Sequence, residues 1–256
     1  MKRLLLGAST VAFLALPLSN AAFAQSPRIL QEDATRYMAL GDSIAAGFKA
    51  MPVTDGYTYR LYQEGAFDAV PHTLFTNAAV PGATSGDVLR HQVPQALIPF
   101  AEGGFNPGYI TLTVGGNDLL AILRYIATHQ NPLDVQQFAG TVLTAYGQNL
   151  TAAVFQLRQG LPNARIFVAN QYTIPEIEAL IPLTAQVIGA FNNVVAQVVD
   201  FFPDHVFLVD VFSAFHGRNN LLLVERHGAA AFETHPTSVG YRVMADAFAD
   251  MIAANK

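Results

Sequence analysis

The 256-residue sequence contains no cysteine. That excludes a disulfide framework, a thiolate nucleophile and a cysteine-ligated metal, and leaves the fold to be held by its core alone. Charge is scarce too, at 13% of residues against 52% hydrophobic. No run of Lys or Arg occurs, and the acidic residues outnumber the basic ones, 19 to 14. Phosphate backbones are bound by basic faces, so a nucleic-acid partner is not expected. Repeats, low-complexity tracts and Gly/Ser linkers are also missing, and the length reads as one domain. About 230 residues suffice for a self-sufficient core, since a domain of that size buries some 70% of its unfolded surface.

Past the first two dozen residues no stretch reaches the ~20 consecutive apolar residues that a membrane-spanning helix needs. The stretch at the start, "MKRLLLGASTVAFLALPLSNAAFA", has Lys2 and Arg3, an apolar run from Leu4 to about Leu18 that is itself too short to span a membrane, and the small residues Ala22 and Ala24 flanking Phe23. This is the pattern of a cleaved secretory signal. We expect cutting after Ala24, a mature domain over 25–256, and a secreted or periplasmic protein without stable membrane insertion. The leader holds two of the 14 basic residues and none of the acidic ones, so the mature chain is more acidic than the −5 of the whole.

What is present is an alternation. Apolar strand candidates lie at 36–41, 72–80, 109–115, 164–170 and 205–210, with helical patterns near 55–66, 84–98, 117–129, 134–159, 184–201 and 238–254. Several strands are apolar on both faces, as expected of central parallel strands covered by helices. In the last helix Val239, Val243, Ala247 and Met251 recur every four residues and predict a buried stripe. Such an alternation predicts an α/β fold with a parallel sheet between two helical layers.

Ligands of open α/β sheets sit at the carboxyl ends of the strands, so the residues after each strand matter most. Gly41-Asp42-Ser43 follows the first and is expected to open a helix of small residues. Val80-Pro81-Gly82-Ala83-Thr84 follows the second, Gly115-Gly116-Asn117-Asp118 the third and Asn170-Gln171-Tyr172 the fourth. A long loop after the fifth leads to Glu233-Thr234-His235-Pro236. One hydroxyl, two glycine turns, an amide and an imidazole are a parts list for acyl transfer. Ser43 would be the nucleophile, His235 its base, and Gly82 and Asn117 donors to an oxyanion. Each also has a plain reading: Ser43 and Asn117 as helix caps, the glycines as turns, His235 as a solvated loop histidine. His72, His91, His129 and His205 read as structural. His216, Glu225 and His227 match no metal-ligand spacing. The Gly-x-Ser-x-Gly elbow is excluded by Ala45, and no phosphate loop is present.

The ordered set "GDSI", "NAAVPGATSGD", "GGND" and "HPTSVGY", from about Tyr37 to Ala253, resembles the GDSL, or SGNH, hydrolases. The resemblance implies a three-layer α/β/α sandwich with a five-stranded, flavodoxin-like parallel sheet. It implies Ser43 as nucleophile, His235 as base, and an oxyanion hole of the Ser43 and Gly82 backbone with Asn117, with no metal and no organic cofactor. The family usually places an aspartate three residues before its histidine, where this chain has Phe232. Two explanations stay open: Glu233, one residue nearer, orients His235, or backbone carbonyls do. The phrase "YMALGDSIAAG" is similar to exported esterase-like and lipase-like members, so the expected reaction is carboxylic ester hydrolysis on a small or lipid-like ester. The apolar segment Gln171–Phe191 either shapes a pocket for a greasy acyl chain or packs on the sheet. Polysaccharide O-deacetylation and lysophospholipid or thioester cleavage are the alternatives, and a non-catalytic binding protein on the same fold is the reading from a different class.

Overall fold

The computed structural model describes residues 36–67, 74–98, 107–226 and 232–255, all within the compact unit Gln31–Lys256. The expected leader lies outside the described residues. Five strands, β1 (Arg36–Gly41), β2 (Leu74–Asn77), β3 (Tyr109–Thr113), β4 (Arg165–Ala169) and β5 (Val206–Val209), form one parallel sheet in the order β2-β1-β3-β4-β5. Each lies inside its expected segment.

Pleating sends alternate side chains to opposite faces, and both faces are apolar. Met38, Leu40, Ile110, Leu112, Ile166 and Val168 belong to one cluster of buried residues. Tyr37, Ala39, Tyr109, Phe167, Ala169 and Val209 belong to the other. On the second face lies α1 (Tyr57–Gln63). The first face takes a helical stretch made of α2 (Ser85–Asp87), a π-type turn (Val88–Gln92) and α3 (Val93–Ala96). It also takes α4 (Gly116–Thr128), α5 (Pro132–Gly160), the short α6 (Pro175–Glu178) and α7 (Thr184–Phe201). The second face is completed by α8 (Val211–Phe215) and α9 (Ser238–Ala254). The result is the three-layer α/β/α sandwich with a flavodoxin-like strand order.

Two expectations need correction here. In α9 the buried residues are Tyr241, Met244, Ala245, Phe248 and Ile252, whereas Val239 is 53% exposed and Val243, Ala247 and Met251 are only partly covered. The large side chains, rather than the four-residue recurrence of smaller ones, turn inward. Between β5 and α9 the expected long loop contains an antiparallel hairpin, β6 (Leu222–Arg226) with β7 (Phe232–Pro236). Short strands with mixed polarity, "LLVER" and "FETHP", show no clean alternation to reveal them.

The chain leaves β1 to form β2 on one side and returns to form β3 on the other. The carboxyl ends of β1 and β3 therefore flank the point where the winding reverses, the place where such folds open a crevice.

Candidate active site

Gly41 closes β1 at φ +140°, and a Cβ there would collide with the carbonyl oxygen of Thr113 on β3. Only glycine lets the two backbones approach this closely. The buried Gln92 amide grips the same residue from both sides: Gly41 N–H donates to Oε1 at 2.7 Å, and Nε2 donates to Gly41 O at 2.8 Å. The end of β1 is thus held on two flanks.

The next residue, Asp42, is 3% exposed and its Oδ1 accepts the Ile44 N–H at 2.9 Å. Residues 43–49 then form consecutive turns and not the expected helix, with Ala46 N–H donating to Asp42 O and Phe48 N–H to Ser43 O. The local capping is done by Asp42. Ser43 keeps its hydroxyl for another partner, His235, whose Nε2 lies 2.9 Å from Ser43 Oγ.

His235 arrives on β7, opposite Leu223 of β6. It is 7% exposed, with the Phe48 ring edge-on at 4.8 Å. Thr237 turns the chain into α9: its N–H donates to Leu221 O at 2.8 Å, and its side chain accepts the Gly240 N–H at 3.1 Å. The Lys49–Glu225 ion pair at 3.0 Å joins the loop after Ser43 to the hairpin. Glu233 sits in β7 with its backbone paired to Glu225; its side chain, like that of Phe232, lies outside the described residues.

The other predicted residues meet at the same place. Ser43, Gly82, Asn117 and His235 all line one cavity of about 340 Å³, walled mainly by apolar groups. Gly82 has φ +86°, with open space where a side chain would stand. Among the described residues neither the Ser43 N–H nor the Gly82 N–H donates to any acceptor. Asn117 uses one amide hydrogen on Ala83 O at 2.9 Å and retains the second. Three donors with spare capacity on one cavity wall are chemically able to receive an oxyanion.

Several supports were not legible in advance. Asp118, 9% exposed, accepts Ser85 N–H at 2.9 Å and Ser85 Oγ–H at 2.8 Å, fastening the Gly82 loop to the start of α4. Gln171 Nε2 donates to Val114 O at 2.8 Å, and Gln171 is held in turn by Asn192 through its own N–H and carbonyl. Apart from the Ser85–Asp118 side-chain pair, these are side-chain to backbone bonds between distant segments, with no local motif behind them. The segment 171–191 divides: Gln171, Tyr172 and Ile174 line the cavity, while Ile177, Ile188 and Phe191 are core.

Asp42 is electrostatically unusual. Burial pushes its carboxyl up to about 7, with the nearby Asp118 carboxylate adding to the rise and the Ile44 N–H opposing it. Desolvation disfavours the charged form. Among the described residues no cluster of three metal-ligating side chains occurs; of the trio weighed above, His227 lies outside them.

An open parallel sandwich with a serine–imidazole pair and free donors at its switch point defines a hydrolase of the SGNH fold. The model of the GDSL-like lipase/acylhydrolase family matches residues 39–243, and the chain belongs to that family of ester-hydrolysing enzymes. A comparison with curated protein sequences finds no match. Among solved structures, the fold is similar to a lipase from a goat rumen metagenome at 20% identity and TM-score 0.67, covering 85% of this chain and 97% of that one. It is also similar to phospholipase A1 from Streptomyces albidoflavus at 20% identity and TM-score 0.60, covering 85% and 99%. A third likeness is to a Corynascus carbohydrate esterase of family 2 with its carbohydrate-binding domain, at 16% identity and TM-score 0.55, covering 86% and 66%. At these identities the likeness concerns the fold.

Proposed function

We propose that the protein is an exported carboxylic ester hydrolase working through an acyl-enzyme on Ser43. The observation that carries this reading is the 2.9 Å contact between Ser43 Oγ and His235 Nε2 on the wall that also holds the Gly82 and Asn117 donors. As Oγ attacks the ester carbonyl carbon, Nε2 takes its proton. The carbonyl π pair moves onto oxygen, which is received by the Ser43 and Gly82 N–H groups and the second Asn117 amide hydrogen. Collapse breaks the bond to the alcohol oxygen, which leaves with the proton from the imidazolium. Water then attacks the acyl-enzyme with His235 again as base, releasing the acid and restoring Ser43. For Nε2 to accept, the ring proton must sit on Nδ1, and we assign Glu233 to hold that side of the ring.

The cavity wall includes Ile44, Phe48, Leu119, Leu120, Ile174 and Met244, which favours a lipid-like acyl chain over the acetyl group of a polysaccharide ester. The test is a chain-length series of p-nitrophenyl esters with the wild type and Ser43→Ala. The expected result is a wild-type optimum at medium or long chains and a Ser43→Ala rate at least ~10⁴-fold lower. Equal rates would remove the enzyme reading, and an optimum at acetate would remove the lipid-like one. Glu233→Ala should cost more than tenfold; a change within a few-fold would remove its role and leave the ring to backbone carbonyls.

A further inference from the structure

The cavity beside Ser43 contains one permanent charge that the reaction described above does not use. Arg124 lies on α4 and lines the cavity together with Asn117 and Leu120 of the same helix. Residues spaced by three or four share one helix face, so 117, 120 and 124 make a single stripe running away from the oxyanion donors. Arg124 is exposed. The ion pairs among the described residues join Lys49 to Glu225, Arg60 to Asp55 and Glu64, Arg90 to Asp87 and Arg242 to Glu64, and none engages Arg124. Asp42 also belongs to the cavity wall, and its Oδ1 is turned to the Ile44 N–H. The chain as a whole is acidic, with a net charge of −5, and among the described residues the Arg124 guanidinium on the wall of the site has no ion-pair partner.

Guanidinium is charged at every working pH, and its planar fork matches phosphate and carboxylate. Seven residues of helix separate Arg124 from Asn117, roughly 10 Å of rise at 1.5 Å per residue. Long side chains on a helix lean toward its N-terminus, which carries the guanidinium back toward Asn117 and shortens that gap. A glycerol ester with a phosphate on its far carbon places the phosphorus roughly 7 Å from the scissile carbonyl when extended. Leu120 lies between the two polar positions, where the carbon atoms of such an alcohol would pass. Ile44, Phe48 and Met244 provide apolar wall for the acyl chain.

We propose that Arg124 is an anion subsite, and that the preferred ester carries a phosphate or carboxylate on its alcohol portion within reach of that guanidinium. This inference rests on the ester-hydrolase reading and adds to it the charge of the substrate. The test uses monodecanoylglycerol and its phosphate monoester as a matched pair, with glycerol phosphate as a probe of the headgroup alone. The wild type should prefer the phosphorylated ester, mainly through KM, and raised salt should weaken the preference. Arg124→Gln should lower the charged-to-neutral ratio of kcat/KM at least tenfold, and Arg124→Lys should recover part of it. Glycerol phosphate should inhibit hydrolysis of the neutral ester by the wild type more than by Arg124→Gln. A ratio within two-fold of wild type in Arg124→Gln, or equal inhibition of both proteins, would overturn the assignment while leaving the ester hydrolase intact. If the wild type cleaves neither ester, or Ser43→Ala cleaves both, the hydrolase reading falls first and the subsite with it.

Discussion

The two halves of the serine–imidazole pair are held in very different ways. Ser43 follows a strand at the centre of the sheet, behind a glycine gripped by Gln92 and pressed against Thr113. His235 rides on a two-stranded hairpin beside the main sheet, tied to the Ser43 loop by a partly exposed ion pair and to the Phe48 ring by an edge contact. Buried backbone clamps resist displacement because breaking one strands a polar group away from water, whereas a solvent-exposed ion pair contributes little. The proposed nucleophile is fixed by the core, and its proposed base is brought to it by a peripheral element.

That contrast can be broken most sharply at the base. His235→Ala should lower kcat by about 10⁴-fold or more while the urea midpoint stays close to wild type, because the hairpin is not a principal part of the core; a large loss of stability would show the hairpin to be integral. Asn117→Ala comes next: removing one oxyanion donor costs on the order of 10² to 10³ in kcat, with KM little changed. A drop confined to KM would make Asn117 a ground-state contact.

The third test reads the clamped side through pH. The Asp42 carboxyl is raised by burial to about 7 from 3.8, so between those values the folded state binds a proton that the unfolded state has released. Stability from this group is complete below about pH 4 and is lost as pH rises toward 7. Asp42→Asn, which keeps an oxygen for the Ile44 N–H, should gain about 2 to 3 kcal/mol relative to wild type between pH 5 and pH 8. Parallel stability profiles would show that Asp42 ionises normally. The smallest effect belongs to the tether: Lys49→Met should change stability by no more than about 1 kcal/mol and kcat/KM by a few-fold. A loss as large as that of His235→Ala would reverse the picture of a loosely attached base.

The same division decides what could be read from sequence. Both faces of the strands are apolar, so β1, β3 and β4 were legible in "YMALG", "YITLT" and "IFVA", and the glycine turns marked where they end. Order along the chain placed Ser43, Gly82, Asn117 and His235 on one sheet edge. The hairpin stayed hidden because "LLVER" and "FETHP" lack alternation and pair over only five residues, from Leu222 with Pro236 to Arg226 with Phe232. Ser43 was read as opening a helix because small residues follow it, yet the Asp42 carboxylate and a string of turns set the local path. Clamps such as Gln92 on Gly41 and Asp118 on Ser85 join residues 51 and 33 positions apart, and nothing local to either partner announces them. Arg124 has no sequence motif around it, and only the cavity shows which way its helix face turns.

The separation of 192 residues between Ser43 and His235 also orders events during synthesis. A nascent chain that has emerged only through β5 already contains the proposed nucleophile and every proposed oxyanion donor, yet it lacks the proposed base and the helix that follows it. Hydrolytic competence therefore arrives last, with the final few dozen residues, and a chain truncated before β6 should be inert toward esters however well its sheet has formed.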